Sequence, residues 1–430
     1  MSIPSGPKGT RDFFPKLMAE QQFIFSSWEK TCRRYGFERY EGPMFEHLEL
    51  YKQKSGDEIE DQLYAFRDKK GRELALRPEM TPTLARMVAA AGPNLKWPIR
   101  WYSIPRLFRY EKMQKGRLRE FFQLNMDILG VADVGADAEL IAAAVAMMCD
   151  LGLTAADFKV RISSRTLLDE LFAAAGITAA ERTALYALLD KKSKMPAEAF
   201  SFELAATLPD EAKRKTVLRI FQAESLDSLV IGKSPPPSVA VLRDLFARLA
   251  DYGLNDYVTF DIGVVRGLAY YTGIVFEIFD GAKSMRAIAG GGRYDTLVEL
   301  YGGPATPAVG FAAGDVVLCD LLREKGIVPA EPPRCSCFII ALDDAPAGEI
   351  IALAQELRGN GISTEFALRS NGIGKQMKIA NAARAPYALF YGGDERARGM
   401  IKVKEMASGK ESLYPRTEII ARLKELPGIF

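Results

Sequence analysis

The step Glu331-Pro332-Pro333-Arg334 constrains the fold of this chain more than any other feature. Two consecutive prolines fix φ twice and remove two backbone donors, so no helix interior or central strand can run through them. The 430 residues are therefore expected to fold in two parts, 1–330 and 335–430, joined by a linker at 331–334. The second part alternates. Strand CFIIAL, a helix over 345–358, strand STEFAL, a helix over 374–383 and strand YALFYG follow one another. The hairpin MIKVKEMASGKESLY and a helix over 418–426 complete it. This rhythm predicts a small α/β domain with a largely parallel sheet.

The first part has a different texture. Phe23, Phe25, Trp28, Cys32 and Tyr35 recur at helical spacing within 18–35. An extended stretch over 37–44 ends at Gly42-Pro43. LYAFRDKKGRELALRPE predicts a hairpin turning at Asp68-Lys69-Lys70-Gly71. A strand-loop-strand unit covers 100–129, its loop at 111–119, and a helix follows over 136–151. The region from about 165 to 250 is rich in Ala, Leu and Lys and reads as a mostly helical insertion. Strand-like sequence returns in YVTFDIGVV, YYTGIVFEIFD and AIAGGGRYD. With 48% hydrophobic residues both parts can build a core. The most apolar run, 141–149, is roughly half of what a membrane helix needs, and the N-terminus lacks an apolar signal core. Five cysteines without a C-x-x-C pair suit a reducing compartment. A cytoplasmic protein with no membrane partner is expected.

Histidine limits the chemistry. His47 is the one histidine in the chain, which excludes His-rich metal sites and makes an imidazole base rest on one residue. His47 itself falls in no motif and is expected to pack or face solvent. Net charge is only +2, but charge is concentrated locally. Between Lys96 and Arg119 lie eight basic residues and one acid, Glu111, interleaved with Trp97, Trp101, Tyr102, Phe108 and Tyr110 and followed by Phe121 and Phe122. Guanidinium forks beside aromatic faces suit a nucleotide: the forks hold phosphate and the rings stack on bases. Two further segments combine arginine, glycine and tyrosine, Val265-Arg266-Gly267-Leu268-Ala269-Tyr270-Tyr271 and Gly290-Gly291-Gly292-Arg293-Tyr294-Asp295. Neither is a phosphate loop or a dinucleotide fingerprint. Arg293 and Asp295 are expected to pair and brace the glycine loop.

These residues carry a resemblance. Lys8-Gly9-Thr10-Arg11-Asp12, Leu76-Arg77-Pro78-Glu79-Met80-Thr81, Phe108-Arg109-Tyr110-Glu111, Gln123-Leu124-Asn125-Met126-Asp127, Arg266-Gly267-Leu268-Ala269-Tyr270-Tyr271 and Gly291-Gly292-Arg293-Tyr294-Asp295 follow one another in order. Together they resemble the class II aminoacyl-tRNA synthetases, and among them the histidyl-tRNA synthetase family, over essentially the whole chain. The resemblance implies an α+β catalytic domain, an antiparallel sheet with helices, and a C-terminal α/β anticodon-binding domain. It implies ATP, Mg²⁺, histidine and tRNA(His) as ligands and a homodimer with Pro43 at its interface.

Residue roles follow from the same resemblance. Glu79, Thr81 and Gln123 would hold the ammonium group of histidine, and Asp127 and Tyr271 its imidazole, with Tyr270 beside them. Arg109 and Arg266 would flank the ATP α-phosphate as the catalytic pair. Glu111 would meet the adenine edge, Phe121 would stack on adenine, and Arg117 would bind ATP. Lys112, Lys115 and Arg119 would reach the tRNA acceptor end. The chain also departs from the family. Ala269 replaces the usual aspartate, Asp127 stands where many bacterial members have glutamate, and Gly314-Asp315-Val316-Val317 replaces Gly-Leu-Glu-Arg. The arginine that covers adenine and reaches the γ-phosphate is therefore missing, Val317 standing in its place. That loss keeps an alternative open, a paralogue serving as the regulatory subunit of ATP phosphoribosyltransferase. The α/β domain after Arg334 argues against it, since that regulator generally lacks one.

Overall fold

The computed structural model describes residues 5–55, 61–192, 195–229, 234–264, 270–282, 285–342, 344–369 and 372–430. It divides into two compact units, one running to Val328 and one from Pro329.

In the first unit, α1 (Pro15–Arg34) starts with proline in its first turn and buries Ile24, Trp28 and Cys32, spaced by four on one face. The extended stretch after it contributes only β1 (Glu38–Arg39) to a ladder. Gly42 then runs so close to the next layer that a Cβ would lie 2.5 Å from Thr83 Cγ2, and Pro43 offers no donor. β2 (Phe45–His47) leads into α2 (Leu48–Ser55). The hairpin forms as expected from β3 (Ala65–Arg67) and β4 (Glu73–Leu76), and Asp68 Oδ1 closes the turn by accepting from the N–H groups of Lys70 and Arg72 at 2.8 and 2.9 Å. α3 (Thr81–Ala91), which the sequence reading missed, starts on Thr81-Pro82 and buries Leu84 and Val88.

The strand-loop-strand unit is β5 (Ile99–Ser103), β6 (Arg106–Phe108) and β7 (Glu120–Leu129), followed by α4 (Gly135–Asp150) and β8 (Phe158–Ser164). The insertion is helical: α5 (Arg165–Ala174), α6 (Ala179–Lys192), α7 (Ala197–Thr207), α8 (Glu211–Phe221) and α9 (Pro237–Asp251). β9 (Val258–Phe260), β10 (Ile274–Asp280), β11 (Ala289–Arg293), α10 (Leu297–Leu300), β12 (Ala308–Gly314) and α11 (Asp315–Glu324) complete the unit. Among the described residues one sheet has the order β1-β5-β7-β12-β11-β10-β8-β9, with β6 paired to β7, and β2-β4-β3 form a second, small antiparallel sheet. The large sheet is antiparallel except at its edges, where β1 runs parallel to β5 and β8 to β9.

Strand β7 shows how the sheet separates core from site. Its residues Leu124, Met126 and Ile128 join Trp28, Leu140, Ile141 and Val145 in the main core, so α1 and α4 cover that face. Phe121, Gln123, Asn125 and Asp127 occupy the alternate positions and face the other way.

The expected pair of Arg293 and Asp295 forms, and a closer partner joins it. Arg293 lies 3.5 Å from Asp295, but its main partner is Asp137 of α4. Arg293 Nε donates to both carboxylate oxygens of Asp137 at 3.2 and 3.1 Å, Nη2 makes a still closer contact, and Nη1 and Nη2 donate to the carbonyls of Val131 and Asp133. Asp295 also accepts from the Ala308 N–H at 3.0 Å and the Thr272 hydroxyl at 3.2 Å. Sequence proximity pointed to the more distant of the two partners, because the strand carries Arg293 across to α4.

The second unit contains β13 (Cys337–Ala341), α12 (Ala347–Gly359), β14 (Thr364–Phe366), α13 (Ile373–Ala382), β15 (Tyr387–Tyr391), α14 (Gly393–Ala397), β16 (Met400–Glu405), β17 (Glu411–Pro415) and α15 (Ile419–Lys424). Its sheet order is β14-β13-β15-β16-β17. The first two ladders are parallel and the last two antiparallel, so the sheet is mixed rather than largely parallel. The hairpin reverses direction without a crossover helix. Among the described residues no helix is long and apolar enough to cross a membrane.

Asp137→Ala should leave the Arg293 guanidinium buried without its carboxylate and cost about 3–5 kcal/mol of stability, read from the urea midpoint of the first unit's transition. A change of less than about 1 kcal/mol would show that the pair is solvated.

Candidate active site

A cleft open to solvent lies on the face of the large sheet turned away from α1 and α4. Its floor is β7. Phe121, Gln123, Asn125 and Asp127 succeed one another along it, about 6–7 Å apart by strand geometry. The cleft is also lined by Glu79 and Thr81 on one side, Arg109 towards one end, and Tyr270, Tyr271 and Tyr294 towards the other.

Asp127 is buried (3% exposed) and lies opposite Gly310 in the β7–β12 ladder. A Cβ on Gly310 would sit 1.9 Å from Asp127 Oδ1, so the carboxylate occupies room that any other residue would fill. Tyr294 donates its hydroxyl to Asp127 Oδ1 at 2.5 Å. Burial raises the Asp127 carboxyl from 3.8 to about 7, while the Tyr294 hydrogen bond pulls the other way. Gly292 serves a similar purpose one strand further on. A Cβ there would lie 2.5 Å from the Ile274 carbonyl and 3.0 Å from the Tyr271 ring. Tyr271 is buried, with its ring 4.7 Å from Tyr270, and Tyr270 meets Tyr294 edge to face at 6.0 Å. Tyr270 therefore lines the cleft and packs within an aromatic cluster at the same time.

Glu79 and Thr81 reach the cleft because the chain leaves β4 at Leu76, turns at Pro78 and enters α3 at Thr81. Arg77 fixes that turn. Only 4% of its side chain is exposed. Nη1 donates to Glu41 Oε1 at 2.5 Å and the Gly42 carbonyl at 2.9 Å, and Nε donates to the Arg106 carbonyl at 3.0 Å. One guanidinium thus ties three segments together. Nothing in the Leu76–Thr81 run itself assigns Arg77 this task. Asn125 and Tyr294 join the site without having been expected there, although strand period and the Gly-Arg-Tyr-Asp run point to them.

Arg109 donates Nε to the Pro78 carbonyl at 2.9 Å and lies over the Phe121 ring at 5.4 Å. The loop after it carries the remaining candidates. Glu111 and Arg117 form a close ion pair across it. Lys112 and Lys115 are exposed. Arg119 stacks on Tyr110 at 4.1 Å, and its N–H donates to the Gly9 carbonyl at 2.9 Å. Gly9 adopts φ +89°, and a Cβ there would strike the Arg119 side chain at 2.8 Å. Arg11 pairs with Asp315 at 2.7 Å, and Asp315 also accepts from the Phe122 N–H at 2.9 Å. Arg266 and Ala269 lie outside the described residues. His47 is exposed on β2, away from the cleft lining.

A buried acid able to meet an imidazole, a short row of polar groups and an arginine beside an aromatic ring lie along one strand face. Residues 9–315 match the family model described as histidyl-tRNA synthetase. The chain belongs to the histidyl-tRNA synthetase family. Residues 336–426 match the model of an anticodon-binding domain. The chain is 41% identical to the histidine–tRNA ligase of Opitutus terrae over 97% of both chains. It is 39% identical to the chloroplastic/mitochondrial histidine–tRNA ligase of Arabidopsis thaliana, covering 94% of this chain and 84% of that one. Among solved structures, the apo histidyl-tRNA synthetase of S. aureus matches with a TM-score of 0.75 at 26% identity, over 98% of this chain and 100% of that one. Membership of this family accounts for a class II catalytic unit followed by an anticodon-binding unit, the arrangement expected from the sequence.

The raised Asp127 carboxyl has a measurable consequence. Its folded value exceeds its ordinary one, so the folded state holds the proton more tightly. The stability this contributes is present at low pH and is lost as pH rises from about 4 to about 7. The urea midpoint of the ligand-free protein should therefore fall relative to that of Asp127→Asn between about pH 5 and about pH 7, and level off above. A constant difference would mean that the carboxyl titrates as an ordinary acid.

Proposed function

We propose that the protein is a histidine–tRNA ligase that joins histidine to ATP as histidyl-adenylate and transfers the histidyl group to tRNA(His). The observation carrying this reading is the row Phe121, Gln123, Asn125 and Asp127 on one face of β7, with Arg109 over Phe121 and Tyr294 on Asp127. Its order matches the order of the reactants: adenine, α-phosphate, ammonium group, imidazole.

In the first step a histidine carboxylate oxygen attacks the α-phosphorus in line. An O–P bond forms, the α–β bridge breaks and pyrophosphate leaves. A carboxylate is already a nucleophile at neutral pH, so no protein base is required and one histidine in the chain is no handicap. Positioning and fixed positive charge lower the barrier. Arg109 is held by Pro78 on the wall that carries Glu79 and Thr81, and it presents its guanidinium to the α-phosphate; Arg266 takes the opposite side in this reading. Phe121 stacks on adenine, and Glu111, in turning from Arg117 to the adenine edge, releases Arg117 to bind ATP. ATP enters as its Mg²⁺ complex. Among the described residues no cluster of three His, Cys, Asp or Glu offers a resident metal site, and Mg²⁺ bound through phosphates and water needs none.

Glu79, Thr81 and Gln123 hold the ammonium group of histidine. Asp127 and Tyr271, with Tyr270 alongside, receive the imidazole. An amino acid lacking ring N–H groups would leave the Asp127 oxygen that Tyr294 does not bond buried without a donor, which excludes it by discrimination in the binding itself. In the second step the terminal ribose hydroxyl of the tRNA attacks the adenylate carbonyl and AMP leaves. Lys112, Lys115 and Arg119, on or beside the loop, meet the acceptor end. The reading includes a cytoplasmic homodimer. Met44, Phe45 and Phe66 stay exposed next to Pro43, an apolar surface that a second copy would cover. The match of 336–426 to an anticodon-binding domain favours the ligase over the regulatory-subunit alternative.

Histidine-dependent ATP–pyrophosphate exchange, then charging of tRNA(His), tests the reading. Arg109→Ala should lower the exchange rate by about 10²–10³ with the fold intact. Exchange driven equally by other amino acids, or absent in the wild type, would refute the ligase.

A further inference from the structure

Val317 leaves the triphosphate one cation short in the proposed reaction, and the structure offers a replacement from another element. Arg286 lies in the β10–β11 connection. It sits three residues before Ala289, which pairs with Ala313 of β12, and the Ile288 carbonyl accepts the Gly314 N–H at 3.2 Å. These contacts bring the connection alongside the start of α11, where Val317 sits. Both residues meet the loop between β6 and β7. Val317 Cγ2 is 3.0 Å from where a Cβ on Gly116 would lie, and Arg286 Nη2 donates to Gln114 Oε1 at 3.0 Å.

The other arginines around this loop are occupied differently. Arg11 pairs with Asp315, Arg106 with Glu120 and Arg117 with Glu111, while Arg119 lies over Tyr110 and Arg109, held by the Pro78 carbonyl, is committed to the α-phosphate in the proposed reaction. Among the described residues Arg286 has a neutral amide for a partner and no carboxylate. A guanidinium bond to phosphate is roughly twice as strong as a neutral one, so exchanging Gln114 for a phosphate oxygen is favourable. An arginine bonded to an acid would first have to break an ion pair.

We propose that Arg286 binds the terminal phosphates of ATP and supplies the charge that Val317 lacks, an inference resting on the ligase reading of this cleft. Arg286 reaches the loop from the side of α11, as a side chain at 317 would, so the charge is relocated in sequence while the position it serves is kept.

The test uses the full chain in ATP–pyrophosphate exchange and in calorimetric titration with ATP and with AMP. Arg286→Ala should raise KM for ATP by about tenfold or more, equivalent to about 1.4 kcal/mol, and leave KM for histidine within about twofold. ATP affinity should fall while AMP affinity holds, because AMP has no terminal phosphates. Gln114→Ala, which removes the hydrogen bond and keeps the cation, should leave KM for ATP near wild type. Val317→Arg placed in the Arg286→Ala background should restore much of the loss. Equal losses for ATP and AMP, an unchanged KM, or a Gln114→Ala variant matching Arg286→Ala would overturn the proposal. A wild type without histidine-dependent exchange would sink the ligase reading instead, and the ATP-against-AMP titration would still report on Arg286.

Discussion

Antiparallel pairing of β7 with β12 is the constraint from which the rest of the cleft follows. It sets Asp127 opposite Gly310, and the absence of a side chain at 310 is what lets a carboxylate lie flat against the sheet, within reach of Tyr294. A slip of one residue would turn Asp127 towards α4 and put Met126 in the site. The long ladder, from Gln123 to Leu129, makes such a slip expensive, since every apolar residue on the core face would move with it.

Two arginines outside the expected chemistry hold this arrangement in place. Arg77 gathers the carbonyls and carboxylate of three segments, fixing the turn that presents Glu79 and Thr81. Arg293 anchors the glycine strand to α4 through Asp137. Both are almost fully enclosed, and an enclosed guanidinium held by several acceptors behaves as a rigid bracket. The geometry of the cleft thus rests on two buried guanidinium groups outside its lining.

Much of this was legible in the sequence. Hydrophobic period disclosed α1, α4 and the helical insertion, turn chemistry disclosed the β3–β4 hairpin, and the double proline lay just beyond the break at Val328–Pro329. Ordered motifs disclosed the family. What stayed hidden depends on distance in sequence. The Arg293–Asp137 pair spans 156 positions, and nothing local distinguishes Asp137 from a helix-capping acid. α3 was obscured because its first residues were read as a motif rather than as a helix start. Arg286 was invisible for a related reason: its meaning arises only when the sheet carries it beside a position where an arginine is missing.

The first described residues have a bearing on how the protein can be handled. Gly9 accepts backbone hydrogen bonds from Arg119 and Glu120, and Arg11 shares Asp315 with the backbone of Phe122. The segment from Gly9 to Arg11 is therefore a brace for the β6–β7 loop and the start of β7, not a tail. Trimming it for crystallisation, or joining a bulky fusion partner close upstream, would reshape the loop between β6 and β7 while leaving every cleft-lining residue untouched.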